Sequence, residues 1–488
     1  MEHFTTGSAG SDTDSTATNS VLVSHLAVLG DEMYNQHMDL MDKIVSLCKR
    51  RGFVYPGSEI YGGLANTYDY GPLGTLFKKN LSDAWWKYFV TGRDDMLALD
   101  TSNLMSPKVW EASGHTQSFN NVLVDCTKCR YRTRADHLID DAGLGNLEGS
   151  DLDDLDDMIV THKIPCPKCG QSVWTKSRLF NQLFETKIGI IAEGQDTAYL
   201  RCELAQGMFV NFKNVLDSSR PKLPFGIAQT GKAYRNEITM GKFTFRTLEF
   251  DLAEFEYFVH PDAWEKQFEY WKNDMYKFAL SLGLDDSALR WRPHTSEELS
   301  HYSKRTEDLE FKFPWGFKEM WGLAYRTDYD LKNHMAKSGA DLHYTDPFTG
   351  EKLIPHVIEP TFGISRLFTI LLFNSYSEVG DRVVLKLHPK LAPYKVAVFP
   401  LVSNKENIVN KAREIYQLLK PVTVTTWDDR GNIGKRYYAQ DEIGTPWCVT
   451  IDYQTLEDDT VTVRDRDSAH QERVSASQLD SYFASKLN

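Results

Sequence analysis

The sequence predicts a multidomain protein of mixed α+β and α/β class, with antiparallel strands flanked by helices in a large body and a smaller α/β domain at the C-terminus. Three observations carry this. The chain has 488 residues, beyond the roughly 250–300 at which a single hydrophobic core stops growing. From Phe209 to Phe258 apolar residues alternate between turn residues, as antiparallel strands do, most clearly over Phe243-Thr-Phe-Arg-Thr-Leu-Glu-Phe. After the Pro-containing stretch His388-Pro389-Lys390-Leu391-Ala392-Pro393, strand and helix patterns alternate over Lys395–Pro400, Glu406–Leu419 and Val422–Trp427.

Taken in order, residues 1–37 read as a disordered tail. Met1–Ser20 is rich in Ser, Thr and Gly and has neither the basic start nor the apolar stretch of a secretory signal. Leu40, Ile44 and Leu47 predict a helix over Met38–Arg51, stopped by Gly52. A turn-rich stretch, Pro56–Gly63, precedes a helix that starts at Pro72 and carries Leu76, Phe77, Leu81, Trp85 and Trp86. Residues 38–390 form the expected body. It holds an inserted Cys-x-x-Cys module at 122–175 around the acidic stretch Asp140–Asp157, and a further insertion at 260–350. A strand pair is expected over Phe311–Tyr329 and a buried helix over Ile364–Phe373. Residues 391–488 form the last domain.

No run reaches the roughly 18 apolar residues of a membrane-spanning helix, so no membrane partner and a cytoplasmic location are expected. The net charge of −13 runs against a generally basic nucleic-acid binder, while leaving room for local basic patches. Of seven cysteines, four fall in two pairs, Cys126-Thr-Lys-Cys129 and Cys166-Pro-Lys-Cys169. That usage points to reduced thiols, not a disulfide framework, and two such knuckles supply the four thiolates of a tetrahedral, structural Zn²⁺ site. The alternative is metal-free thiols.

The chemistry concentrates elsewhere. Arg235 and Glu237, two apart, are expected to share a strand face, with Arg246 and Phe250 on the returning strand after a turn at Met240-Gly241. Such a platform suits a nucleotide, with phosphates on arginine and the base on phenylalanine. By itself the pattern also fits a surface hairpin with an ion pair. Arg366, in the first turn of a buried helix behind Glu359-Pro-Thr361-Phe-Gly363, is aimed at an anion or caps a nearby carboxylate.

In combination these patterns resemble motifs 2 and 3 of class II aminoacyl-tRNA synthetases. Tyr68-Asp-Tyr-Gly-Pro-Leu-Gly74, the Trp85-Trp86 helix and Ser106-Pro107 resemble the class's dimer-forming motif 1. Tyr61–Thr67, Trp110-Glu-Ala-Ser-Gly-His115 and Ala205-Gln-Gly207 are similar to the homodimeric glycyl-tRNA synthetase family. Gly434-Lys-Arg-Tyr437 and Asp441-Glu-Ile-Gly-Thr-Pro446 resemble that family's anticodon-binding domain.

The resemblance implies a class II antiparallel sheet and ATP-dependent ligation of glycine to tRNA through a glycyl-adenylate, with Mg²⁺ accompanying ATP, tRNA as partner and a homodimer. Arg235 and Arg366 would be catalytic. Asn236, Glu237, Phe245, Arg246, Phe250, Glu319, Met320 and Gly363 would complete the ATP site around them. Arg134, Glu203, Phe250, Glu254, Glu359, Thr361 and Gly363 would hold glycine. The chain departs from the family at Cys202 and Leu204, where Pro and Thr are expected, at Ser365, where Gly is expected, and at Met320 in place of Leu. Two other readings are a non-catalytic, synthetase-like nucleic-acid-binding accessory protein and a sister class II synthetase for another amino acid. Retention of all the nucleotide residues argues against the first, and the three glutamates argue against the second.

Overall fold

The computed structural model describes residues 40–145, 150–190, 196–238 and 243–487. The expected tail at 1–37 and the turn at Met240-Gly241 lie outside the described residues. The body is organised on a seven-stranded sheet: β1 (Met96–Ala98), β2 (Phe225–Tyr234), β3 (Glu249–Val259), β4 (Leu289–Pro293), β5 (Arg305–Phe313), β6 (Gly316–Thr327) and β7 (His356–Gly363). Their spatial order is β4-β5-β6-β7-β3-β2-β1, antiparallel throughout except for β2 beside β1.

Strand periodicity divides the two faces. On β3, Phe255, Tyr257 and Val259 enter one core, and Leu252 and Phe258 enter the other. The first core lies under α1 (residues 40–51), α2 (Pro72–Trp86), α4 (Trp264–Ser281) and α6 (Ile364–Ser375). Its centre is aromatic, with Phe89 and Phe362 ring centroids 4.8 Å apart and Phe255 and Trp271 4.6 Å apart. Pro72 opens α2, and Gly74 lets it sit close: a Cβ there would lie 1.8 Å from the Phe53 carbonyl oxygen. The second face is covered by α3 (Ala205–Val210), the following helix Phe212–Ser219 and α5 (Tyr329–Ser338).

Three expectations need correction. Residues 205–219 are helical, not strands, because buried Phe209, Phe212 and Val215 recur at helical spacing. The pattern beginning at Phe243 is not a strand. Phe243–Phe245 is one 3₁₀ turn with Phe243 at φ 55°, and β3 starts only at Glu249. Packing overrides alternation here: Phe243 meets Tyr68 edge-on at 5.6 Å and the Thr244 hydroxyl bonds that of Thr369 at 2.5 Å. Finally, 260–350 is not an insertion outside the sheet, since it supplies α4 and three of the seven strands.

Beyond residue 395 a second sheet comprises β8 (Val396–Pro400), β9 (Thr425–Trp427), β10 (Trp447–Ile451), β11 (Thr460–Asp465) and β12 (Gln471–Ser475), in the order β9-β8-β10-β11-β12. Its core is its own and includes Val398, Val449 and Val463 under α7 (Glu406–Leu419) and α9 (Leu479–Leu487). The intervening α8 (Ile433–Glu442) ties this sheet to the body. Arg50 and Arg51 of α1 both reach Glu442. Asp441, fully buried, takes two bonds from Arg464 at 2.9 and 3.1 Å and one contact from Arg382 at 3.0 Å. Removing that carboxylate strands two guanidinium groups. Asp441→Ala is therefore expected to cost about 3–5 kcal/mol in urea denaturation, and a variant as stable as the parent would show that the contact holds nothing together.

Candidate functional site

Where β2, β3 and β7 run out, their ends converge on one open cleft. Arg235 and Glu237, just beyond β2, and Phe250 of β3 line it, with Phe245 and Arg246 on the turn before β3. Glu319, Met320, Thr361, Gly363 and Arg366 line the opposite side. The last strand pairs are Ala233 with Phe250 and Tyr234 with Glu249. Arg235 and Glu237 thus lie just past the strand, not on it as the spacing suggested, and Arg246 precedes the returning strand. The Arg235 amide still donates to the Leu248 carbonyl at 3.0 Å, which fixes its position. Its guanidinium lies 5.4 Å from the rings of both Phe250 and Phe119, and its Nε donates to the Cys202 carbonyl at 3.1 Å.

Gly363 ends β7 and caps α6, so Arg366 sits in the first helical turn. Arg366 pairs with Glu319 at 2.6 Å and lies 4.9 Å from the Phe245 ring. A β-bulge aims Glu319 at the cleft. Glu319 pairs with Glu310 and Trp321 with Leu309, which leaves Met320 as the extra residue. Met320 and Trp321 consequently both enter the first core, and Glu319 is turned out. Desolvation in the cleft would raise the Glu319 carboxyl, though its side chain is 48% exposed, and the Arg366 guanidinium outweighs it and holds it below the usual carboxylate range. Arg246 is pushed the other way: burial lowers it, and the charges of Arg366 and Arg134 add to the effect. Arg134, buried and bonded to Asp136 at 3.0 Å, thus stands within electrostatic reach of the cleft. Asn236 does not line it. Its amide donates to the Gln182 carbonyl at 2.8 Å and its side chain faces a separate groove with Phe180 and Asn181.

Behind the cleft the second face of the sheet buries an acidic niche. Glu254 of β3 accepts from the Thr361 hydroxyl at 2.9 Å and from the Leu204 amide at 2.8 Å. Glu203 accepts from Gln206 at 2.9 Å and contacts His115 at 3.2 Å. Gly114, at φ 83°, turns the chain so that His115 enters, and a Cβ there would lie 2.9 Å from His301 Nε2. Burial would lower His115, but the Glu203 charge and the neighbouring Cys202 raise it to about 10, while Glu203 falls well below the carboxylate range. Glu359 accepts from Arg326 at 2.9 Å.

Arg326, together with Asp330 and Tyr302, was missed in the sequence. The Arg326 side chain is fully buried. It donates twice to Asp330, at 2.8 and 2.9 Å, lies 3.6 Å from Glu203 and is covered by the Tyr302 ring at 3.7 Å. Following Tyr325 of the first core, it faces the second side by strand alternation, at a register irregularity between the pairs Tyr325–Ile358 and Thr327–Val357. The available clue was an arginine ending the apolar run Trp321-Gly-Leu-Ala-Tyr-Arg326, since a charge in such a strand must find partners.

The departures from the family pattern have local roles. The Ser365 hydroxyl accepts from the Asp251 amide at 2.9 Å and bonds the Tyr70 hydroxyl at 3.1 Å. Leu204 packs into the second core.

The four paired cysteines form a separate cluster whose sulfurs lie within 4.8 Å of one another. Cys126 and Cys169 are 3.6 Å apart, as are Cys129 and Cys166. Each knuckle closes alike, with the Arg130 amide on the Cys126 carbonyl and the Gly170 amide on that of Cys166, both residues at positive φ. A small core of Val124, Leu138, Ile139, Leu155, Ile159 and Ile164 supports it. Part of the acidic stretch, residues 146–149, lies outside the described residues. Leu155 and Ile159 anchor the helix Leu152–Thr161 that follows.

Residues 395–486 match the "Anticodon binding domain" family model. Over 93% of this chain and 79% of the other, the fold is similar to prolyl-tRNA synthetase from Cryptosporidium parvum, at TM-score 0.62 and 13% identity. The curated glycine–tRNA ligase of Clostridium tetani is 49% identical over 458 residues, 92% of this chain and 98% of that one. That of Caldanaerobacter subterraneus subsp. tengcongensis is 50% identical over 456 residues, with the same shares. With that identity sustained along both sheets, the chain belongs to the glycine–tRNA ligase family.

Proposed function

We propose that this chain activates glycine with ATP and transfers the glycyl group to the terminal adenosine of its tRNA. One observation supports this above the others: Arg235, Arg246 and Arg366 line one cleft whose inner end borders a buried niche of glutamates. Phe250 stacks on adenine and Glu237 reads its edge. Arg235 holds the α-phosphate and the glycine carboxylate, while Arg246 and Arg366 hold the outer phosphates. A glycine carboxylate oxygen attacks the α-phosphorus and pyrophosphate leaves. The terminal ribose hydroxyl of tRNA then attacks the carbonyl, and AMP leaves. Positioning and charge neutralisation suffice for the first step. Mg²⁺ bound with ATP, near Glu319, would share the neutralisation.

Glu203, Glu254 and Glu359 receive the ammonium beside Arg326 and Tyr302, and selection of glycine follows if this packing excludes a methyl group. The cysteine cluster fits zinc by its donor set, since a tetrahedron with metal–sulfur bonds of about 2.3 Å has sulfur–sulfur edges of about 3.8 Å. Four thiolates close the shell, so its role is structural. A homodimer is proposed through the region that resembles motif 1, with the neighbouring turn-rich stretch, where Ile60, Tyr61 and Leu64 stand exposed, as part of the contact.

ATP–pyrophosphate exchange is expected with glycine and not with alanine, proline, threonine or serine. Arg235→Ala should lower it by about 10²–10³-fold, and full activity in that variant removes the assigned role. Metal analysis should find one zinc per chain, lost together with several degrees of Tm in Cys129→Ser or after chelation. A metal-free protein of unchanged Tm contradicts the site. Sedimentation should give twice the chain mass, falling to one in Ile60→Asp if that stretch is the interface.

A further inference from the structure

Glu256 has no place in the account so far. It sits two residues beyond Glu254 on β3 and so faces the same niche. It is fully buried, and neither of its oxygens has a hydrogen-bond partner among the described residues. The register pairs Glu254 with Thr361 and Tyr257 with Ile358, which sets Glu256 opposite Glu359 on β7. Carboxylate oxygens of Glu254, Glu256 and Glu359 lie within 4.8 Å of one another. Like charges opposed on neighbouring strands repel.

The groups facing Glu256 are Glu359 from β7, Arg326 from β6, Glu254 from its own strand and Asp330 from α5. On the other side β2 offers only Ile227 in register. Arg326 is engaged elsewhere, with Nε and Nη2 on Asp330 and Nη1 on Glu359. An ionised carboxylate left there would be buried and unpaired, which proteins avoid by keeping the proton.

We infer that Glu256 is held in the niche as a neutral carboxylic acid and acts as a positioning residue, letting Glu359 and Glu254 stay together where the substrate ammonium is received. This deepens the glycine reading proposed above and rests on it. Burial, with the charge of Glu359 beside it, drives Glu256 well above the usual carboxylate range.

The test compares wild type with Glu256→Gln and Glu256→Ala. In the folded protein Glu256 keeps a proton that the unfolded chain releases above about pH 4.3, so this group lowers wild-type stability as pH rises. Gln carries no such proton. The Tm of Glu256→Gln should therefore gain on that of wild type steadily between about pH 5.5 and 8.5, and a gap that closes or reverses with rising pH overturns the inference. An infrared difference spectrum between the two should show a protonated-carboxyl C=O band present only in wild type, and its absence overturns the inference too. Glu256→Ala, which opens a cavity behind Glu359, should raise KM for glycine about tenfold with a smaller change in kcat, a loss of about 1.4 kcal/mol in binding. Glu256→Gln should restore KM, and a Gln variant as impaired as Ala counts against a neutral Glu256. The stability and infrared measurements need no substrate, so failure of the glycine reading would appear separately, as absent exchange in wild type.

Discussion

The guanidinium of Arg326, wholly out of solvent, stands between Asp330 and Glu359 with Glu203 close by, and the acidic niche exists only because of it. Carboxylates brought together in a dry interior repel one another and lose their hydration, a cost of several kcal/mol for each unpaired ion. A planar cation with donors in fixed directions can engage several at once. A lysine would offer a point charge and could not bond Asp330 and Glu359 from separate edges. The niche is thus a cluster of carboxylates held together by one cation, and in the proposed reaction it receives a substrate that carries little besides its charge. Its tightness follows from the same packing: Tyr302 covers the guanidinium, and Thr361 and the Leu204 amide fix Glu254.

Strand β6 joins this niche to the arginine-lined cleft. Its bulge at Met320 turns Glu319 toward Arg366, and strand alternation after Tyr325 places Arg326 behind Glu359. Between them Trp321, Leu323 and Tyr325 keep their regular places in the first core. The strand therefore contributes to the core and to both sites, because a bulge re-aims a side chain without breaking the sheet. Cleft and niche share the elements β3 and β7, so the positions proposed for the substrate carboxylate and for its ammonium lie on the same two strands.

Much of this was legible in the sequence because its chemistry is local. The knuckles are spelled by cysteine spacing, Arg366 by its place behind Gly363 at the head of an apolar helix, and the C-terminal alternation by short apolar runs. What was not legible depends on contacts distant in sequence. Phe243–Phe250 alternates like a strand, yet Phe243 is drawn onto Tyr68 and the alternation is spent on a turn. The helices at 205–219 were hidden because Phe225–Phe258 dominated the window. Arg326 was missed because its partners Glu203 and Glu359 come from distant parts of the chain, and residues 260–350 looked separable because nothing local announces that β4, β5 and β6 join the sheet begun much earlier.

The claim on which all of this converges is a niche matched to an ammonium and closed to a methyl group. The most direct measurement is calorimetric titration of the wild-type protein with two non-hydrolysable aminoacyl-adenylate analogues, one glycyl and one alanyl. The glycyl compound should bind the more tightly by at least tenfold to a hundredfold, since forcing one extra carbon into a packed site costs about 1–3 kcal/mol. Equal affinity for the two would contradict the account.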